Sequence, residues 1–177
     1  MKRKIRIGAF ETNSSSTHAI CISKNDVNTN DLPSNVAFAH GEFGWEFRVL
    51  TDTWDKASYL YQAICDTSDS IDERQEKLNM ISDMLGEESI TCEFEPDRKN
   101  DWNDGGYIDH AYDLCDLIRE LLSDKEKLFR YLFGASMIIT GNDNSDEFSE
   151  YMYIDSDGWN YDYKPEFTDY EIYEKGN

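Results

Sequence analysis

The sequence predicts an α+β domain, a mixed or antiparallel sheet with about four helices packed on it. Three observations predict it. Apolar residues recur at period two near both ends of the chain and at three and four in the middle, with no regular strand–helix alternation and no internal repeat. The 177 residues are of single-domain size and no Pro/Gly/Ser-rich linker divides them, so 1–177 reads as one domain. Aromatic residues make up 14% of the chain, which sets its acidity apart from that of disordered acidic chains, poor in large side chains.

The elements follow in order. The opening MKRKIRIGA alternates Ile5 and Ile7 with Lys4 and Arg6, and HAICIS is a short apolar run, so residues 3–9 and 18–23 read as paired strands. Between them, Asn13, the three serines and Thr17 would reverse the chain. Their side chains bond turn amides well, so the segment reads as a brace at the sheet's end. Strands are expected at 35–40 and 45–50. Thr53 is a candidate cap for a helix with Ala57, Leu60, Tyr61 and Ile64 inward, broken at Asp66 to Asp69. SIDE, 70–73, is a capping-box pattern for a second helix with Ile71, Leu78, Ile81 and Leu85 on one face and Gly86 as its stop.

SITCEF, 89–94, reads as a strand. Beyond a polar loop comes a helix whose apolar face is Ile108, Ala111, Tyr112, Leu114, Cys115, Ile118, Leu121 and Leu122. Asp124 starts another, ending at Gly134. ASMIIT, 135–140, is a strand, YMYID and WNYDY flank the turn signal Asp157-Gly158, and DYEIY is the last strand. Cys21, Cys65, Cys92 and Cys115 are far apart in apolar contexts with no CxxC pair, and read as reduced core thiols. No apolar run follows the basic opening or approaches a membrane span, so no leader and no membrane are expected and the chain is placed in the cytoplasm.

Three stretches bear on chemistry. Ser15, Ser16 and His18 are residue types that combine a nucleophile or phosphate grip with an acid or base, so a nucleotide- or phosphate-binding enzyme using residues 13–18 is the alternative to the turn reading. No GxSxG elbow supports a strained serine nucleophile, and no catalytic residue is assigned on the main reading. GNDNSDEFSE, 141–150, and IDSDGWNYD, 154–162, have the oxygen density of a calcium loop. The first lacks the glycine at its sixth position and the second the closing glutamate, so neither a metal nor a cofactor is expected.

The third feature is charge. Asp and Glu number 37 against 17 Lys and Arg, a net of −20, and residues 141–177 carry eleven acids against Lys164 and Lys175. Direct nucleic-acid binding is disfavoured, since phosphates repel such a chain. Carboxylates interleaved with aromatics suit the reverse role, filling a basic groove meant for nucleic acid. The candidate partner-binding residues are Asp143, Asp146, Glu147, Glu150, Asp155, Asp157, Asp162 and Glu166, with Asp101 and Asp104 around Trp102.

The segments KIRIGAFETNSSSTHAI and SMIITGNDN carry a resemblance. The chain resembles small proteins of phages and mobile elements of Gram-positive bacteria that open with a basic strand and an FETNSSS-Thr/Ser-His segment, a set similar to anti-CRISPR inhibitors of type II RNA-guided nucleases. The resemblance implies a non-enzymatic inhibitor in the bacterial host cell, acting on a basic nucleic-acid-binding protein such as an RNA-guided nuclease. It assigns no role to any residue.

Overall fold

The computed structural model describes residues 16–44, 46–96, 106–109, 111–142, 152–154, 161–163 and 168–175. The fold is α+β; the described residues form four α-helices with one four-stranded antiparallel sheet and three two-stranded pairs. In chain order the strands are β1 (Ser16–Ser23), β2 (Asn35–Phe38), β3 (Glu42–Phe43) and β4 (Arg48–Leu50), then β5 (Thr91–Phe94) and β6 (Tyr107–Ile108), and finally β7 (Met137–Asn142), β8 (Met152–Ile154), β9 (Tyr161–Tyr163) and β10 (Tyr170–Lys175). The helices are α1 (Thr53–Thr67), α2 (Ile71–Gly86), α3 (Cys115–Ser123) and α4 (Lys125–Phe133).

The main sheet runs β10-β1-β7-β4. β1 is central, with Ala19 opposite both Glu174 of β10 and Ile139 of β7. Both edges of residues 18–21 are therefore taken, which overturns the expected hairpin with residues 3–9; those residues lie outside the described ones. The expected turn through Thr17 is corrected too, because Ser16 and Thr17 already belong to β1. Strand alternation divides the sheet's faces. Ile20, Ile22 and Ile138 join the large core under the helices, while Ala19, Cys21 and Ile139 are wholly buried on the other face beside Phe47, Val49, Met137, Tyr170 and Ile172.

β2 pairs with β5 and β3 with β6, both parallel. Parallel neighbours need a crossover, which α1 and α2 supply between β2 and β5. β8 and β9 pair antiparallel with Ile154 opposite Tyr161, the register that a turn centred on Asp157-Gly158 requires; residues 155–160 themselves lie outside the described ones.

Local chemistry explains the helix ends. The cap of α1 is Asp52, not Thr53: its side chain accepts from the Asp55 N–H at 2.9 Å, while Thr53 Oγ1 donates to the Leu132 carbonyl. Ser70 caps α2 by accepting from the Glu73 N–H, and Glu73 reaches back to the Asp69 N–H, one residue beyond the expected box. Ile71 is 69% exposed rather than inward, since it precedes the helix's buried stripe of Leu78, Ile81 and Leu85. The expected helix from Ile108 starts later: 107–108 pair as a strand, 111–114 form a 3-10 turn, and α3 begins at Cys115. Cys115 is consequently exposed, and Cys65 and Cys92 are half-buried, so only Cys21 lies fully in the core.

α1 is the most enclosed of the four described helices. Lys56, Tyr59 and Gln62 are buried along with the expected Ala57, Leu60, Tyr61 and Ile64. Lys56 is 1% exposed, and its Nζ donates to the carbonyls of Gly134 and Ser136 just past α4, where the helix dipole is negative. Burial pulls its ammonium down to about 8, with the Asp52 charge opposing the shift. An unfolded lysine stays protonated to about 10.5, so between pH 8 and 10.5 the unfolded state holds more protons and stability rises with pH. Comparing wild type with Lys56→Met by denaturant titration should show the wild type gaining about 1–3 kcal/mol on the variant across that window. A flat difference would mean that Lys56 titrates in the folded chain as it does in the unfolded one.

Candidate functional site

Ser16 and His18 are two residues apart on β1 and share the helix-facing side with Ile20 and Ile22, so the strand presents a polar end to the core. Both are wholly buried. Ser16 Oγ donates to Asp109 Oδ2 at 3.1 Å. His18 Nδ1 lies 2.9 Å from Tyr59 Oη on α1, and Nε2 lies 3.1 Å from the Gly44 carbonyl. A carbonyl only accepts, so Nε2 carries a hydrogen, and in the neutral ring Nδ1 accepts from the Tyr59 hydroxyl. Burial pushes that hydroxyl well above the usual phenol range, which keeps it a donor. Thr140, opposite His18 on β7, donates to the Glu46 carbonyl at 2.8 Å.

Ser16, His18 and Thr140 thus fasten three segments to the sheet: the turn at Asp109, the loop at 44–46, and α1. A depression of about 460 Å³ opens beside them, lined by Glu42, Glu46, Arg48, Tyr107 and Thr140 among others, but neither Ser16 nor His18 lines it. The imidazole has both nitrogens engaged and no face on that opening. The arrangement can hold a loop. It does not present a nucleophile and its base to a substrate.

A second, partly buried network lies past the ends of β2 and β5. His40 Nδ1 is 3.0 Å from Gln62 Oε1, Gln62 Nε2 donates to Asp66 Oδ1 at 2.7 Å, and the Ile108 N–H donates to Asp66 Oδ2 at 2.7 Å. The bond to Asp66 fixes the Gln62 amide, so Oε1 is the acceptor and His40 Nδ1 the donor. Burial raises the Asp66 carboxyl, opposed by the bonds from Ile108 and Gln62. Gly106, at φ +72°, fits here because a Cβ would stand 2.4 Å from the Gly41 carbonyl oxygen. This network also connects layers, α1 to the β2–β3 link and to β6.

Of the residues the sequence nominates, Ser16 and His18 stand on one face of β1 and Ser15 lies outside the described residues. Asp101, Trp102, Asp104, Asp143, Asp146, Glu147, Glu150, Asp155, Asp157 and Glu166 also lie outside them, and Asp162 is placed only as a backbone position in β9. Sequence reasoning missed Tyr59, Asp109 and Thr140 as the partners of Ser16, His18 and the 44–46 loop. One signal was present: Ser16, His18, Ile20 and Ile22 share a parity, which marks the two polar residues as inward.

Charge is distributed unevenly over the described surface. Lys77 pairs with Glu73, Lys125 with Glu87 and Glu88, Lys127 with Glu120 and Glu171, and Arg119 with Asp116. Asp72, Glu76 and Asp83, exposed along α2, have no cationic partner among the described residues. The described residues hold no group of three or more His, Cys, Asp or Glu arranged for a metal, and no helix among them is long and apolar enough to cross a membrane.

No protein-family model, characterised protein or solved structure matches the chain.

The His18 clasp is testable by deleting one oxygen. Tyr59→Phe keeps the ring and its packing but removes the hydroxyl that bonds Nδ1, and should lower stability by about 1–2 kcal/mol in thermal or denaturant unfolding. An unchanged midpoint would show that the hydroxyl carries no weight in the fold.

Proposed function

We propose that this chain is a non-enzymatic inhibitor that presents an acidic, nucleic-acid-mimicking surface to the basic groove of a DNA-handling defence nuclease in a bacterial host. The observation that carries the reading is uncompensated negative charge, a net of −20 in a chain in which Lys77, Lys125 and Lys127 are already paired with carboxylates. Charge left after internal pairing is free to act outward, attracting a basic partner and repelling nucleic acid itself. The resemblance of the FETNSSSTH segment to phage proteins similar to anti-CRISPR inhibitors supports the class of partner, an RNA-guided nuclease. The proposed contact is the acidic segment from Asp143 to Glu166, with Asp101 and Asp104 around Trp102.

The alternative, a phosphate- or nucleotide-binding enzyme built on Ser15, Ser16 and His18, has less support. His18 is wholly buried, with one ring nitrogen on a phenol and the other on a carbonyl. Using it as an acid or base would require opening the core.

The experiment is capture of partners from bacterial lysate on the immobilised full chain at low and high salt. The screening length falls from about 10 Å at 0.1 M to about 3 Å at 1 M, so a basic, nucleic-acid-binding partner should be held at low salt, released at high salt and displaced by duplex DNA. The combined variant Asp143→Asn, Asp146→Asn, Glu147→Gln and Glu150→Gln should capture markedly less. A retained partner that is neither basic nor nucleic-acid-binding would sink the reading.

A further inference from the structure

A groove of about 660 Å³ separates α2 from α3, outside both networks described above. Its exposed apolar wall is Met80 on α2, 40% exposed, above a floor formed by the buried Ile118 and Leu122, 2% and 8% exposed and one turn apart on α3. Cys115, the first residue of α3, lines it with an exposed free thiol. On the α2 side the rim is Asp69, Glu73, Glu76 and Lys77.

We infer that this groove receives a basic amphipathic helix of the partner protein, its apolar side on Met80 above the Ile118–Leu122 floor and its lysines or arginines against the α2 rim. The inference rests on the acidic-inhibitor reading and specifies one contact within it. Three features select this occupant. The walls are helices, whose backbone groups are satisfied internally, so an extended strand would find no ladder to join; a helix docks by side chains alone. The rim's cations are already matched: Lys77 is 2.7 Å from Glu73 and also donates to Ser68, and Arg119 pairs with Asp116. That leaves Asp69 and Glu76, with Asp72 one turn before Glu76, as the net charge an arriving side chain meets. A second copy of this chain, itself at −20, would bring more carboxylates to that rim.

Cys115 reports occupancy directly. The probe is a synthetic Leu/Lys amphipathic peptide of about 15 residues, near the shortest length that holds a helix in water. The control is the same peptide with Glu for Lys. Alkylation of each cysteine in the full chain is followed by peptide mapping. The Lys peptide should slow Cys115 alkylation about tenfold at saturation while Cys92, on β5, keeps its rate. Met80→Glu and Glu76→Lys, both at exposed positions and each checked for native circular dichroism, should weaken peptide binding about tenfold. Equal protection by the Glu peptide overturns the inference, as does failure of the Lys peptide to bind. Protection of Cys115 by raising protein concentration alone also overturns it, in favour of self-association. If the Lys peptide binds in a salt-sensitive way but leaves Cys115 unprotected, the groove is excluded and the acidic-surface reading stands. If the groove behaves as expected but the lysate partner is not basic, the broader reading fails by itself.

Discussion

The enclosure of α1 is the constraint on which the rest of the structure depends. A helix covered on most sides cannot send its polar side chains to water, so each must find a partner in a neighbouring layer. Lys56 finds the carbonyls beyond α4, Tyr59 finds His18 on β1, and Gln62 and Asp66 find His40 and the Ile108 amide. Tyr131 returns a bond from α4 to the Lys56 carbonyl at 2.7 Å. Each bond spans two elements distant in sequence, so the satisfied set fixes how the sheet, the parallel pairs and the helices sit around α1. Leaving any one member unpaired costs about 1–3 kcal/mol, against a total stability of about 5–15 kcal/mol for an ordinary domain.

The same constraint explains what the sequence conceals. The positions Ala57, Leu60, Tyr61 and Ile64 are legible because apolar spacing records which face is inward. Lys56, Tyr59 and Gln62 are not, since a periodicity rule assigns polar residues to water. One hint was available: in a chain that is 31% charged, α1 carries only Asp55, Lys56 and Asp66. The α+β class and most of the strands followed from local pattern, whereas the two-residue strands β3 and β6 and the pairing did not. Residues 3–9 and 18–23 looked like a hairpin because nearness in sequence favours one, yet β1 is occupied on both sides by strands that arrive more than a hundred residues later. Non-local pairing leaves no local trace. The serine segment misled for a related reason. Ser16 and His18 resemble loop residues until their parity with Ile20 and Ile22 is noticed, and their partners Asp109, Tyr59 and Gly44 come from three separate segments.

The acidity and the fold are linked through the placement of the few cations. Repulsion among like charges is most costly where carboxylates from different elements converge, because the fold then holds them together. Two lysines of α4 stand at such places. Lys125 bridges to Glu87 and Glu88 in the turn after α2, and Lys127 bridges to Glu120 on α3 and Glu171 on β10 while also donating to the Tyr173 hydroxyl. Both pairings join elements rather than decorate one helix. With its cations at the junctions, the described part of the molecule carries its unmatched carboxylates on outward faces such as that of α2, where neighbours on the same helix are separated by a turn and solvent screens them. The fold therefore tolerates a large net charge without concentrating repulsion where elements meet. The unmatched charge that remains on that part of the molecule faces solvent.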